Sequence, residues 1–387
     1  MEPQEIVIVG AGAAGLSAAA TVRAEGFEGS LTVINGEAHR PYNRTLVNKA
    51  LLSGLLTAEQ IVLPDVTALG ADLVQGKVVS VDTHLSLLTL EDGRQLRYDA
   101  LIAATGSAPQ SSGRATDGRE RVYHLHTVDD AARLRARFGK NPGNLTVTIL
   151  GAGFIGSEAA SYLAEAGAQV HLISRSSIPL ASALGEHIAE RITDLHHIHV
   201  KPYFGRSFTG ISTSSDSATV TLSDGNTLES DIVLIAHGTR PTSAWLTGGD
   251  DGLAVDSHLR ARDYQRVYGA GSLALHTASN GQLYRVDHWD AAVAQGTHAA
   301  QVALRELTGA RDPGPYVPAT GFTITLYQHS AAAYGLVLPG SAEHQHDSGS
   351  PEALLTSFHK ADGAMTAVAG LDAFSQLIAA RGKLTAP

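Results

Sequence analysis

The segment Ile6-Val-Ile-Val-Gly10-Ala-Gly12-Ala-Ala-Gly15-Leu-Ser-Ala-Ala-Ala20 has the pattern of an apolar strand, a glycine turn and an alanine-rich helix. In that context Gly10 permits the tight turn, Gly12 lets the backbone approach a pyrophosphate, and Gly15 lets the helix pack closely against the strand. A bound anion would contact the unpaired N–H groups and the positive dipole end of the helix. The segment therefore predicts a βαβ unit that binds a dinucleotide.

The same pattern returns about 140 residues later in Val147-Thr-Ile-Leu-Gly151-Ala-Gly153-Phe-Ile-Gly156-Ser-Glu158. Repetition of a whole strand, turn and helix is stronger evidence than one glycine motif, because it indicates a duplicated architecture. Two such modules predict two nucleotide sites. The alternative is a pair of glycine-rich turns in a protein that binds a single nucleotide.

Composition and charge limit the class of protein. The chain has 387 residues, of which 43% are hydrophobic and 17% charged, so we expect an ordinary soluble protein of two or three domains. A net charge of −10 argues against nucleic-acid binding. No apolar run reaches the roughly 18 residues of a membrane span, and no signal peptide is evident, so the expected location is cytoplasmic.

The chain contains no cysteine. A disulfide, a thiolate metal site, an iron–sulfur cluster and a thiol nucleophile are therefore all excluded, and any redox chemistry must reside on a bound cofactor. The histidines suggest no metal site. We predict that His196, His197 and His199 lie on a strand, that His344 and His346 lie in a loop, and that neither group binds metal.

The remaining sequence predicts the following elements. Each module continues into a strand-rich stretch with an Asp-Gly hairpin turn, at residues 92–93 and 224–225. A polar linker is expected over 111–121 and a helix over 128–138. The C-terminal part predicts strands near 321–327 and 333–338, a loop over 340–350, a hairpin at 362–363 and a helix over 373–381.

These motifs resemble a known family. The chain contains two glycine motifs, an Arg-Pro-Tyr-Asn-Arg segment followed by Lys49, Ala-Thr-Gly at 104–106, Gly-Thr-Arg-Pro at 238–241 and Asp-His-Trp at 287–289. Their order along the chain resembles that of FAD-dependent NAD(P)H:ferredoxin reductases. Those enzymes serve oxygenases and cytochromes P450 and have the glutathione-reductase fold. The resemblance covers about residues 4–310 and is looser over 316–387.

The resemblance implies an α/β fold with two Rossmann-like three-layer domains and a small C-terminal α+β domain. The FAD domain would be formed by residues 1–112 and 244–315, the NAD(P) domain by 113–243 and the C-terminal domain by 316–387. The cofactor-binding residues that it implies are Gly10, Gly12, Ala14, Gly15, Glu37, Arg44, Lys49, Val79, Thr105, Gly106, Gly151, Gly153, Ile155, Gly156, Ser174, Arg175, Gly238, Gly271, Ser272, His288 and Trp289.

Several of these residues have specific expected roles. Glu37, about 20 positions beyond the first glycines, would hold the adenosine ribose, the alternative being a solvated loop carboxylate. By the resemblance, Arg44 would approach the FAD pyrophosphate. Lys49 would lie near flavin N5 and pair with Glu158, so that these two form the catalytic pair. An ordinary solvated ion pair is the alternative for Lys49 and Glu158.

The choice of nicotinamide depends on the end of a strand in the second module. There the chain has Ser174-Arg175, whereas a carboxylate at this point would bind a ribose 2′-hydroxyl and repel a 2′-phosphate. We therefore favour NADPH over NADH, with Ser174, Arg175 and Ser176 around the phosphate. In the alternative, Arg175 stacks on adenine and NADH is used.

Two features depart from the family pattern. Ser272 stands where these reductases usually have an aspartate that binds the ribityl chain of FAD, and the C-terminal tail is similar instead to the interface domain of NADH oxidases.

The leading hypothesis is electron transfer to a ferredoxin-type iron–sulfur partner, by a monomer or a homodimer. Arg133, Arg135, Arg137 and Lys140 are a candidate docking patch for that acidic partner, the alternative being an ordinary solvated helix face. The alternatives are a reductase or oxidase that acts on a small molecule or on O₂, and a degenerate member that binds FAD weakly or not at all.

Overall fold

The first segment forms the strand, turn and helix that its pattern predicts. A strand ends at Val9 and a helix begins at Ala13. The structure is a computed structural model, and it describes residues 4–110, 121–139, 142–278, 281–318, 320–338, 340–348, 350 and 352–384.

The strands within the described residues are β1 (Glu5–Val9), β2 (Ser30–Asn35), β3 (Asp72–Gln75), β4 (Val78–Asp82), β5 (Leu87–Leu90), β6 (Gln95–Arg97), β7 (Ala100–Ala103), β8 (Ser107–Pro109), β9 (Val122–His124), β10 (Thr146–Leu150), β11 (Gln169–Ser174), β12 (Lys201–Phe204), β13 (Phe208–Thr213), β14 (Ala218–Leu222), β15 (Thr227–Ser230), β16 (Ile232–Ile235), β17 (Thr239–Pro241), β18 (Leu253–Ala254), β19 (Val267–Gly269), β20 (Ala274–Thr277), β21 (Leu283–Tyr284), β22 (Gly321–Leu326), β23 (His329–Gly335), β24 (Ala342–His346), β25 (Leu354–His359) and β26 (Met365–Leu371). The α-helices are α1 (Ala13–Ala24), α2 (Val128–Phe138), α3 (Phe154–Glu165), α4 (Ala181–Leu184), α5 (Glu186–His199), α6 (Ala244–Thr247), α7 (Trp289–Thr308) and α8 (Phe374–Arg381).

The chain divides into two units. The first comprises Met1–Arg44, Ala58–Ala108 and Arg240–Thr320, and the second comprises Thr45–Thr57, Pro109–Thr239 and Gly321–Pro387.

The first unit is built on a parallel sheet with the strand order β19-β7-β1-β2-β3. Its central strands are apolar and fully buried, as is typical of a parallel sheet covered on both faces. Helices α1 and α7 pack against each other through small residues, and an ideal Cβ on Gly296 would lie 2.1 Å from the carbonyl oxygen of Ala14. The strand-rich excursion forms the antiparallel sheet β4-β5-β6, with the predicted hairpin at Asp92-Gly93.

The second unit repeats this plan around the parallel sheet β12-β11-β10-β16-β9. Its own excursion is the antiparallel sheet β13-β14-β15, again with the predicted Asp-Gly hairpin. The C-terminal part adds an antiparallel sheet of order β22-β23-β26-β25-β24 and the closing helix α8. Ile188 and Ile192 of α5 form one core with apolar residues of this sheet, among them Phe358 of β25.

The predicted strand around His196, His197 and His199 is wrong, because these residues form the last turn of α5. Ile188, Ile192 and Leu195 lie at helical spacing on a buried face of that helix, and this longer period outweighs the short polar and apolar alternation at its end. His196 is completely buried, its Nδ1 lies 2.8 Å from the Tyr327 hydroxyl, and burial lowers its pKa to about 4.

Two C-terminal predictions also need correction. The second strand of this region is His329–Gly335 rather than 333–338, and the predicted loop over 340–350 contains β24. Every residue of β24 is exposed at the sheet edge, so its sequence carries no apolar alternation and only its pairing with β25 defines it as a strand.

Some predicted features fall outside the described residues. These are residues 111–120 of the linker and Lys140 of the arginine-rich patch. Among the helices of the described ranges, none combines the length and the apolar character that a transmembrane span requires.

We predict that Gly296→Ala destabilises the first unit, because the added methyl group collides with the backbone of α1 at Ala14. Overpacking of this kind costs about 1–3 kcal/mol, so the melting temperature should fall by several degrees in a thermal unfolding experiment. Gly210→Ala is the matched control, since its added Cβ meets no atom within 4 Å. Equal melting temperatures for the two variants would show that the contact between α1 and α7 is not as close as described.

Candidate functional site

The three glycines of the first motif have three different surroundings. Gly10 has a φ of +111°, and an added Cβ would lie 2.2 Å from the Ala104 carbonyl oxygen. A Cβ on Gly15 would lie 1.8 Å from the carbonyl oxygen of Gly10. An added Cβ on Gly12 would meet no atom within 4 Å. Gly12 is the N-cap residue of α1, and no side chain forms a capping hydrogen bond at this helix end. Space and free N–H groups therefore coincide at Gly12, which fits a bound pyrophosphate.

The second motif has the same geometry. Gly151 has a φ of +115°, with an added Cβ 2.4 Å from the Ala236 carbonyl oxygen, and a Cβ on Gly156 would lie 1.9 Å from the carbonyl oxygen of Gly151. Gly153 is the open position and caps α3 without a side-chain hydrogen bond. Each glycine motif thus places an uncapped helix N-terminus at the carboxyl end of a parallel sheet, the usual place for a nucleotide phosphate.

Glu37 and Arg44 lie in one cluster with Tyr42, just after β2. The Tyr42 hydroxyl donates to Glu37 Oε2 at 2.7 Å, and Arg44 forms an ion pair with Glu37 and donates to the Tyr42 hydroxyl at 3.1 Å. Burial by itself would lower the pKa of the Arg44 guanidinium. The opposite effects of Glu37 and Tyr42 are larger in sum, so the pKa is raised. From the sequence we expected Glu37 and Arg44 to contact different parts of a dinucleotide, and we expected no specific role for Tyr42. In the structure the Tyr42 hydroxyl forms hydrogen bonds with both side chains.

Thr105 and Gly106 follow β7 and bind the segment after β17. The Thr105 hydroxyl donates to the Thr242 carbonyl at 2.6 Å, the Thr242 hydroxyl donates to the Thr105 carbonyl at 2.7 Å, and Trp245 Nε1 donates to the Thr105 hydroxyl at 3.3 Å. Sequence analysis missed Thr242 and Trp245, because nothing in their local pattern marks a long-range partner.

Gly271 and Ser272 follow β19 at the same edge of the sheet. Gly271 has a φ of +75°, and its added Cβ would lie 3.2 Å from the Cβ of Ala14, the buried first-turn residue of α1. The Ser272 hydroxyl donates to Asp287 Oδ1. His288 and Trp289 begin α7 as half-buried side chains, and burial lowers the pKa of His288 although two neighbouring aspartates oppose the change.

Val79 lies in the antiparallel sheet of the first unit. It belongs to β4 of the antiparallel excursion and is 49% exposed.

Lys49 and Glu158 form the predicted ion pair within the second unit. Lys49 lies in a π-helical turn, Val47–Leu51, and its ammonium also donates to the Thr323 carbonyl at 2.9 Å. Glu158 on α3 is 9% exposed and additionally accepts from Asn48 and from the Thr325 N–H, the latter at 3.2 Å. Burial raises the pKa of Glu158, while Lys49 and the other donors act in the opposite direction.

Ser174 and Arg175 lie at the carboxyl end of β11. Ser174 Oγ accepts from the Ser176 N–H at 3.1 Å, and the Ser174 carbonyl accepts from the Arg206 N–H at 3.0 Å, so the backbone turn here is fixed while Arg175 is exposed. Burial lowers the pKa of His237, which follows β16; a backbone hydrogen bond opposes this change and the positive charge of Arg175 adds to it.

Ile155 and Gly238 complete the predicted residues of the second unit. Ile155 lies in the first turn of α3, and Gly238 follows β16 with a φ of +109°. The Gly238 carbonyl accepts from the Gln110 N–H at 3.0 Å.

The fold and the two glycine turns define a protein with two dinucleotide modules. The family model of the pyridine nucleotide-disulphide oxidoreductases matches residues 4–296, and the chain belongs to this family. The predicted α/β class, the resemblance to ferredoxin reductases and the assignment as an FAD-dependent NAD(P)H oxidoreductase are confirmed.

Individual relatives agree with this assignment. The chain is 30% identical to the ferredoxin–NAD(+) reductase component of the p-cumate 2,3-dioxygenase system of Pseudomonas putida, over 74% of this chain and 71% of the relative. The reductase in the covalent putidaredoxin reductase–putidaredoxin complex superimposes with a TM-score of 0.87 at 22% identity, over 99% of this chain and 93% of that one.

An engineered water-forming NADPH oxidase bound to NADPH has a similar fold. It superimposes with a TM-score of 0.80 at 19% identity, over 99% of this chain and 92% of that one. Its substitutions include Ala-Arg-Ser in place of Asp-Ala-Met at three consecutive positions.

We predict that Lys49→Met makes stability depend on pH through Glu158. Without the ammonium the pKa of Glu158 rises further above its ordinary value of 4.5, so the native state holds a proton that the unfolded state releases. The penalty should therefore be small at pH 5, increase as the pH rises through the folded-state pKa, and reach about 2–3 kcal/mol at pH 8. Thermal unfolding at the two pH values measures it.

The double variant Lys49→Met, Glu158→Gln is the control, because an amide does not titrate. Its loss of melting temperature should be the same at pH 5 and pH 8. A single variant that also loses the same amount at both values would contradict the electrostatic account of this pair.

Proposed function

We propose that the chain takes hydride from NAD(P)H bound at Gly153, transfers the electrons to FAD bound at Gly12, and passes them singly to a ferredoxin-type iron–sulfur partner. The observation that carries this proposal is the repeated glycine geometry, with an open, uncapped helix N-terminus at each of the two motifs. FAD, when bound, converts a two-electron donor into two one-electron steps. A chain without cysteine has no redox group of its own for this conversion.

The first unit supplies the residues that would hold FAD. The helix N-terminus at Gly12 would bind the pyrophosphate. The Glu37 carboxylate, held by Tyr42 and Arg44, would accept hydrogen bonds from the ribose hydroxyls. Thr105, His288 and Trp289 are proposed to contact the isoalloxazine side. The half-buried indole of Trp289 suits a flat heterocycle.

Lys49 and Glu158 are proposed as the catalytic pair. A cation favours negative charge that develops on a nearby acceptor, and Asn48 and the Thr325 N–H keep the Glu158 carboxylate in place to orient the Lys49 ammonium. Asn48 is a positioning residue in this proposal, because it acts only through Glu158.

The second unit favours NADPH as the hydride donor. The Ser-Arg-Ser run at 174–176 places two hydroxyls and one exposed guanidinium at the end of β11 and no carboxylate that would repel a 2′-phosphate. The engineered NADPH oxidase has a similar run, Ala-Arg-Ser. The Pseudomonas putida relative is named for NAD(+), which favours the alternative.

We predict that Arg175→Ala lowers kcat/KM for NADPH by about ten- to a hundredfold and leaves kcat/KM for NADH within about twofold, because only the phosphate needs the charged donor. Steady-state kinetics with both nucleotides, using a dye as electron acceptor, measures the two ratios. Arg191→Ala on the exposed face of α5 is the control and should change neither value. Equal losses with NADPH and NADH would assign Arg175 to the adenine instead.

The proposed partner surface includes the exposed Arg133 and Arg135 and the half-buried Arg137 of α2. Arg133 is paired with Asp130 at 2.5 Å, which reduces its contribution to a positive surface. Ferredoxins are acidic, so the interaction should weaken with added salt.

We predict that the protein reduces cytochrome c only when a ferredoxin is present, at a rate that falls as salt is added. The measurement is the increase in cytochrome c absorbance with NADPH, with and without ferredoxin, at low and at moderate ionic strength. Oxygen consumption by the reductase alone is the control. Rapid oxygen consumption with no ferredoxin-dependent rate would favour the oxidase alternative.

A further inference from the structure

Strand order gives a direction to a dinucleotide bound to the first unit. The glycine turn follows β1, Glu37 comes just after β2 on one side, and Ser272 follows β19 on the other side, beyond β7. A dinucleotide with its pyrophosphate at Gly12 and its adenosine toward Glu37 must extend its second half across β7 toward Ser272. In FAD the group that follows the pyrophosphate in this direction is the ribityl chain, which carries hydroxyl groups.

Ser272 lies close to the pyrophosphate position but has no charge. Its neighbour Gly271 is in contact range of Ala14 in the first turn of α1, and the Gly271 N–H donates to Gln295 Oε1 at 2.8 Å. The backbone of this corner is therefore fixed. The Ser272 hydroxyl donates a hydrogen bond to Asp287 Oδ1, so a carboxylate lies directly beside Ser272.

Asp287 is oriented by donors on several sides. Besides Ser272, Arg285 Nη2 lies 3.7 Å from Asp287 Oδ2, and Arg285 Nη1 donates to the Ser272 carbonyl at 3.3 Å. The Ser107 hydroxyl lies 3.4 Å from Oδ2. The Asp287 side chain is nevertheless 38% exposed, and a carboxylate oxygen can accept more than one hydrogen bond, so a hydroxyl ligand can reach it from solvent.

We propose that Asp287, positioned by Ser272 and Arg285, is the carboxylate that accepts hydrogen bonds from the ribityl hydroxyls of FAD. The chain then needs no acid at position 272, because the acid comes from the segment before α7 and Ser272 serves as its support. This inference rests on the proposed binding of FAD in the first unit. It makes Asp287 a cofactor ligand and Ser272 and Arg285 positioning residues.

The test compares FAD with ADP, which contains the adenosine and pyrophosphate but no ribityl chain. Both are titrated into the full-length apoprotein and followed by calorimetry. Asp287→Asn keeps the size of the side chain but removes its charge, so it should weaken FAD binding about tenfold and leave ADP binding unchanged. Asp290→Asn is the matched control, an exposed acid in the first turn of α7, and should bind both ligands like the wild type.

A charge-relocation variant keeps the test independent of folding defects. In the double variant Ser272→Asp, Asp287→Asn the carboxylate moves to position 272, and FAD affinity should return to within about threefold of wild type. FAD binding by Asp287→Asn that equals wild type, or an equal loss for FAD and ADP, would overturn the role of Asp287. A wild-type apoprotein that binds ADP but not FAD would contradict the proposed function itself.

Discussion

The structure depends on the approach of a helix to the turn that precedes it. At Gly15 and at Gly156 a single added carbon would lie within 2 Å of the carbonyl oxygen of the motif's first glycine. Only a residue without a side chain allows the helix to begin there, and this start aims its free N–H groups at the open space beside Gly12 or Gly153. Each turn follows a central strand of its unit's parallel sheet, and in the first unit the long helix α7 packs against α1.

Electrostatics then gives the two turns different surroundings. Near the first turn the charged groups are paired acids, Glu37 with Arg44 and Asp287 with Arg285, so oxygen acceptors are held where sugar hydroxyls would bind. Near the second turn the exposed charge is Arg175, with hydroxyls beside it, which suits a phosphate. In the proposed function, a few side chains at the strand ends would therefore give the two similar turns different nucleotide preferences.

Much of this arrangement is visible in the sequence, because local chemistry dictates it. The glycine motifs, the Asp-Gly hairpins and the capped helix α2 need only neighbouring residues to form. Long-range partners are different. Asp287 with Ser272, Thr242 with Thr105 and Asn48 with Glu158 meet through the fold, so no local pattern predicts them. The exposed strand β24 was missed for the same reason, since pairing with β25 alone defines it.

The central claim is that one nucleotide delivers electrons to another within this chain. The most direct measurement is the visible absorption spectrum of the purified protein, recorded without oxygen before and after one equivalent of NADPH or NADH is added. We expect a yellow protein whose flavin absorption is bleached within seconds, faster with NADPH. A protein that remains colourless after incubation with FAD, or flavin absorption that neither nucleotide changes, would contradict the account.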